Sequence, residues 1–317
     1  MMEDMSMYFD ERKKNVTVGI EFECYLYDRY KQELLHNEHL LNEVLGTLPR
    51  EVTRDYYTYQ LEIRTTPQDS PEKAMGEFRK NLLLCDKEFS NQDIRIIPMS
   101  WLGGGEMFNG LHVHFRSEKK NHFENTLFNM YPFMLALTDC FKFSPTRDNR
   151  RLSVRFSDSR HIAMPLLNEM IRSNRYSDVC LNRHRENTRH RLKKDFTMEV
   201  RSFDIPYNLD YMDNLIKLSY AVVASVKRNG KIFPERCNNS VTSLAHSIGM
   251  TRESIQFEKV GYNHVLDCYN VEVYRWICKR FGIKEIKVPY SLVDGGSMLD
   301  FVNSRGVNEY VGGNDEM

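Results

Sequence analysis

Residues 16–26 read VTVGIEFECYL, and this stretch decides the fold. Val16, Val18, Ile20, Phe22 and Cys24 recur at every second position, with Glu21 and Glu23 between them. Successive side chains of a strand point to opposite faces, so the apolar set lies on one side and both carboxylates on the other. Four further stretches have the same form: YTYQLEIRT at 57–65, GLHVHF at 110–115, RRLSVRF at 150–156 and FTMEVRSFD at 196–204. Their polar faces carry Glu62 with Arg64, His112 with His114, Arg151 with Arg155, and Glu199 with Arg201. In one sheet, these strands would collect four glutamates, two histidines and several arginines on a single face. Carboxylates packed that closely repel one another unless cations sit among them, which points to bound metal.

Clean alternation marks a sheet with one covered and one open face. The segments between the strands supply the cover. Ser70-Pro71 opens a helix with proline in its first turn, and Met75, Phe78, Leu82, Leu83, Cys85 and Phe89 form its apolar stripe. Further helices are expected over Tyr30–Leu45, His122–Phe143, Ile162–Arg172 and Asp210–Lys227, with a short strand over Asp93–Pro98. The last ninety residues read as helices and loops, at 254–259, 271–281 and 297–301. The expected class is α+β: a curved, mostly antiparallel sheet with helices on its convex face. Residues 1–15 read as a polar lead-in and 16–310 as one catalytic domain, with the motifs in 16–226 and a helical cover in 227–310.

The chain has 317 residues, ample for a buried core. Lys plus Arg number 44 and Asp plus Glu also 44, so bulk charge gives no reason to expect nucleic acid or a membrane surface. The basic run from Arg172 to Lys194 has little aromatic interleaving and reads better as a loop over an anionic substrate or as solvated surface. The seven cysteines include no CxxC pair, which argues against a disulfide framework or a zinc knuckle. No stretch has signal-peptide or membrane-spanning character, so a cytoplasmic protein is expected.

Each motif also has a bland reading. Glu21 with Glu23 fits a solvated strand face, Glu62 an ordinary cross-strand ion pair, and Glu199 with Arg201 an ion-pair network. The two histidines of HxH face one way, which suits metal or phosphate but also occurs in plain sheets. Gly103-Gly104-Gly105 lacks any phosphate-loop context and reads as a connection. Taken together, the oxygen-rich set with one or two imidazoles favours Mg²⁺ or Mn²⁺ over zinc. Arg150, Arg151 and Arg155 suit a phosphate clamp, because guanidinium forks bind phosphate oxygens bidentately. Metals beside an arginine cluster are what phosphoryl transfer from ATP needs.

In this order the motifs resemble the carboxylate–amine ligases of the glutamine synthetase and glutamate–cysteine ligase superfamily. GIEFE is similar to the family's first metal-binding strand, QLEIRTTP to its second acidic strand and GLHVHF to its histidine strand. NRRLSVR is similar to its arginine segment, and MEVRSFD to the strand with a last metal-ligating glutamate and a phosphate-binding arginine. The resemblance covers about Val16 to Val226 and implies the glutamine synthetase catalytic-domain fold. By position it implies metal ligation by Glu21, Glu23, Glu62, His112 and Glu199, and phosphate contacts by Arg151, Arg155 and Arg201. His114, Arg150 and Arg201 would assist at the nucleotide.

The implied activity is an ATP- and Mg²⁺- (or Mn²⁺-) dependent ligase joining a carboxylate, such as glutamate, a peptide or an amino acid, to an amine through an acyl phosphate. The partners implied are small-molecule carboxylate and amine substrates, or a protein or peptide amine. Only 15 residues precede Val16, which leaves no room for the small N-terminal domain of glutamine synthetase; a monomer or small homo-oligomer is the expectation. The residues alone also allow a guanidino-type phosphotransferase, a metal-dependent hydrolase that uses no ATP, or a non-catalytic nucleotide- or metal-binding module.

Overall fold

A computed structural model of the chain describes residues 9–10, 15–100, 109–118, scattered positions between 122 and 141, 179–182, 197–206, 208–227, 264–286 and 307–312. The opening alternation becomes strand β1 (Val16–Asp28), whose length lets it act as the spine of a sheet. Seven more strands follow: β2 (Glu33–Leu34), β3 (Val52–Arg54), β4 (Gln60–Arg64), β5 (Ile94–Ile97), β6 (Leu111–Ser117), β7 (Val179–Asn182) and β8 (Thr197–Phe203). The sheet runs β3-β4-β1-β6-β8-β7, with β2 and β5 also paired to β1. Every pairing among the described residues is antiparallel.

Strand β1 is paired along both edges by two strands in succession. Residues 21–25 pair with β4 on one edge, and β2 then takes Tyr27 and Asp28. On the other edge β6 takes residues 16–22 and β5 takes residues 25–28. A strand flanked so completely has little freedom to slip, and a one-residue slip would move every side chain to the wrong face.

The helices are α1 (Glu38–Leu45), α2 (Pro71–Ser90), α3 (Leu209–Ser225), α4 (His264–Phe281) and α5 (Val307–Gly312). Ser70, Asn37 and Asn208 cap α2, α1 and α3 by accepting backbone N–H groups, as short polar side chains do at helix starts. Helices α2 and α3 pack against the apolar face of the sheet and against each other. Val18, Ile20, Phe22, Cys24, Ile63, Val113, Phe115 and Val200 meet them there, all at most 1% exposed. Phe22 and Phe78 touch with ring centroids 4.9 Å apart. Val273, Ile277 and Tyr310, from α4 and α5, belong to the same core.

Several expectations hold. Helix α2 begins at the proline, the strand expected within 57–65 is β4, and β5 lies within 93–98. Others need correction. The stretch 30–45 is not one helix: the chain turns back directly after β1, with Gln32 at φ 56, and forms β2 before α1 begins. Leu83 is 40% exposed, so the stripe of α2 runs through Leu82 and Cys85 instead. Strand β7 lies inside the basic stretch, and α5 lies beyond the helices expected near the C-terminus. The helix expected over 271–281 starts earlier, at His264. The arginine strand, with Arg150, Arg151 and Arg155, and the segments 162–172, 254–259 and 297–301 lie outside the described residues.

Cys24, Cys85, Cys140 and Cys278 are buried, as expected of cysteines acting as small hydrophobes. No helix among the described residues is long and apolar enough to cross a membrane. Phe78→Ala should cost about 3–5 kcal/mol, because it empties a ring-sized volume against Phe22. Urea unfolding followed by circular dichroism measures the loss; a midpoint unchanged from the parent would contradict this packing.

Candidate metal and active site

Register brings the polar residues together. On β1, Glu21 lies opposite Arg64 of β4 and His112 of β6, and Glu23 lies opposite Glu62. On the next pair, His114 lies opposite Glu199 of β8. Strand β8 carries an extra residue between Val200 and Phe203 where β6 has only His112 between Leu111 and Val113. Such a bulge bends the strand and re-aims the side chains beside it. Arg201 sits at this irregularity.

His112 is the centre of the group and is fully buried. Its Nδ1 is 2.6 Å from Glu21 Oε1 and 3.6 Å from Glu199 Oε1, and its Nε2 is 3.6 Å from Glu23 Oε1. His114 Nε2 lies 3.2 Å from the other oxygen of Glu21. Two imidazoles therefore converge on one carboxylate. Burial would raise the Glu21 pKa, but the hydrogen bonds and charges of His112 and His114 outweigh it and hold the carboxyl well below the usual range. Burial also disfavours charge on His114, yet its bond to Glu21 and the nearby Glu199 raise its pKa overall.

Glu199 is buried and accepts from Arg201 Nη1 at 2.8 Å. Glu23 is buried and accepts from the Gly110 backbone N–H at 2.7 Å. Glu62 lies 3.1 Å from Arg64 Nε and accepts from Thr53 Oγ1 at 3.3 Å. Burial and the negative charge of Glu21 push its pKa up to about 7, against the pull of Arg64.

Among the described residues, two groups have ligand atoms within 4.8 Å of one another: Glu21 with His112 and Glu199, and Glu21 with Glu23 and Glu62. They share Glu21. Carboxylate oxygens with an imidazole make a donor set suited to Mg²⁺ or Mn²⁺. Glu21, Glu23, Glu62, His112, His114, Glu199 and Arg201 thus gather in one place. Arg150, Arg151 and Arg155 lie outside the described residues.

Sequence reasoning missed the supports. Thr65 Oγ1 accepts the Ile20 N–H at 2.9 Å, directly before Glu21. The Glu77 carboxylate accepts from Thr66 N, Thr66 Oγ1 and Gln68 Nε2 at 2.7–2.9 Å and so fixes the chain leaving β4. Asn109 and Gln60 are fully buried amides behind Glu23. No periodic pattern announces such contacts; only the buried position of a short polar side chain does.

The folded-state pKa of Glu62 lies above its ordinary value of 4.5. Its contribution to stability is therefore fully present below pH 4.5 and is lost as pH rises through about 7. In metal-free protein, thermal melts across this window should show a falling component that Glu62→Gln removes. The fall that follows deprotonation of His114, whose pKa is also raised, should persist. An unchanged pH profile in Glu62→Gln would mean that Glu62 carries no such strain.

By sequence, no family model and no curated protein matches the chain. Solved structures do. A bifunctional glutathione synthetase from Pasteurella multocida superposes with a TM-score of 0.50 at 13% identity, covering 93% of this chain and 48% of that one. The chain thus spans about half the length of that protein. The glutamate–cysteine ligase of Francisella tularensis, determined in complex with AMP, superposes at 0.45 with 15% identity, covering 93% of this chain and 82% of that one. The ligase PafA, in complex with the prokaryotic ubiquitin-like protein Pup, superposes at 0.43 with 10% identity, covering 85% and 64%. The superposition on the synthetase shows that this chain shares the fold of the matched part of that protein, a mostly antiparallel open sheet with helices on one face.

Proposed function

We propose that the protein is an ATP-dependent ligase that joins a carboxylate to an amine. One observation carries the reading: Glu21, Glu23, Glu62 and Glu199 crowd around His112 on one face of the sheet. A structural sheet face gains nothing from four mutually repelling carboxylates, two of them buried. Cation binding gives them a purpose.

Glu21, His112 and Glu199 would hold one divalent ion, and Glu21, Glu23 and Glu62 a second. Bound there, Mg²⁺ or Mn²⁺ supplies positive charge for the phosphate oxygens of ATP. Arg201, tied to Glu199, has a side chain 40% exposed and would contact a phosphate. His114 holds Glu21 from the side facing Glu199. Arg150, Arg151 and Arg155 would complete the phosphate contacts.

In the reaction proposed, an oxygen of the carboxylate substrate attacks the γ-phosphorus of ATP and ADP leaves. The amine nitrogen then attacks the carbonyl carbon of the acyl phosphate, loses a proton, and phosphate leaves. The chain's share is to orient the two substrates and to offer fixed charge where phosphoryl charge develops. The fold shared with the glutathione synthetase supports amide formation as the reaction type. The amine is a small molecule or the amine of a peptide or protein.

The test is phosphate release from ATP with Mg²⁺ over a grid of carboxylates and amines. Release should require one member of each class, and Glu21→Gln should lower it by more than about 100-fold without changing the fold. Release with an acceptor of one class alone would favour a phosphotransferase. Turnover without ATP would favour a hydrolase, and full activity in Glu21→Gln would remove the metal assignment.

A further inference from the structure

A chain of buried polar groups runs behind Glu23. Gln60 and Asn109 are 1% and 0% exposed. Gln60 Nε2 donates to Asn109 Oδ1 at 2.9 Å, and Asn109 Nδ2 donates to the Met99 carbonyl at 3.2 Å. The Asn109 backbone N–H donates to the Ser100 carbonyl at 2.9 Å. The Tyr25 hydroxyl donates to that same carbonyl at 3.2 Å, and Ser100 Oγ accepts from Ile205 N at 2.6 Å. Five pieces of chain meet here: β1, the start of β4, and the segments after β5, before β6 and after β8.

The residue held by this junction is Gly110. Its N–H donates to Glu23 Oε2 at 2.7 Å, and its carbonyl accepts the Glu23 N–H at 3.1 Å. A backbone N–H given to a carboxylate is a charge-assisted bond and fixes the orientation of the group. Glu23 Oε1 is left towards His112 Nε2 at 3.6 Å. The orientation of Glu23 therefore depends on where Asn109 places the peptide that follows it. Two buried amides are costly to desolvate, and apolar side chains of similar size would fill the space without that cost. Bare packing does not account for them.

We infer that Asn109, braced by Gln60, is a positioning residue that presents Glu23 to a divalent cation. The inference rests on the metal reading of the site. A purely structural role would change stability but leave cation affinity alone; a positioning role changes affinity, and only through Glu23.

The experiment measures Mn²⁺ affinity of the full chain by calorimetry or electron paramagnetic resonance, without nucleotide, beside the melting temperature. The double variant Gln60→Met, Asn109→Leu replaces both partners with apolar groups. It should bind Mn²⁺ about 10–100-fold more weakly, the range typical of residues that orient metal ligands. In a Glu23→Gln background the same pair should change affinity by no more than about twofold, because the group it positions is already lost. A folded double variant with parental Mn²⁺ affinity would overturn the inference. If the double variant does not fold, Asn109→Ser is held to the same criteria. Should Glu23→Gln weaken Mn²⁺ binding while the Asn109 variants do not, only the positioning role falls. Should Glu23→Gln itself bind as the parent does, Glu23 is no ligand and this inference falls while the group of Glu21, His112 and Glu199 stands; should the parent chain bind no Mn²⁺, the metal reading and this inference fall together.

Discussion

The constraint on which the structure turns is the crowding of like charge on one face of β1. Glu21 and Glu23 come from that strand, and the strands on either side add Glu62, His112 and His114. A folded chain tolerates such a cluster only where hydrogen-bond donors are fixed around it. Two imidazoles serve Glu21, a main-chain N–H serves Glu23, and guanidinium groups serve Glu62 and Glu199. The donors sit where pairing puts them, so strand register is the physical basis of the site.

The opposite face of the same strand makes this possible. Val18, Ile20, Phe22 and Cys24 are fully or almost fully buried under α2 and α3. Burial of that order stabilises the sheet by roughly 1.5–3 kcal/mol for each large apolar side chain. The apolar positions hold the strand in a single register, and the acidic positions inherit their places from it. Stability and charge clustering are thus written on alternate residues of one stretch, and neither face can shift without the other.

Alternation was the part of the fold legible in the sequence. It identified β1, β4, β6 and β8 and assigned Glu21, Glu62, His112 and Glu199 to polar faces, because a period of two is a local property. Helices α2 and α3 were legible from local signals too: Ser70-Pro71 opens α2, and Met212, Leu215, Leu218 and Val222 recur at helical spacing in α3. Non-local features were not. Nothing in the order of the motifs said that β1 would pair with four strands, or that Glu21 would stand opposite both Arg64 and His112. The turn at Gln32 overrode a helical reading of 30–45, because pairing to the end of β1 satisfies backbone groups that a frayed helix would leave open. Strand β7 was hidden in a basic stretch, since four residues are too few to show a period. The supports at Asn109, Gln60, Thr65 and Glu77 depend on tertiary contacts that no spacing rule encodes.

The strands that meet at His112 have very different origins along the chain. Strands β1 and β4 are near neighbours in sequence, whereas β8 follows after a long intervening stretch and still lies directly beside β6. Chain entropy must be surrendered before so distant a pairing forms. Glu21, Glu23 and Glu62 share a face once β1 and β4 pair, which closes the shorter loop. Glu199 and Arg201 join them only through the pairing of β8 with β6, which closes a much longer one. Of the two acidic groups, one is thus local to the first part of the chain, and the other depends on the whole topology.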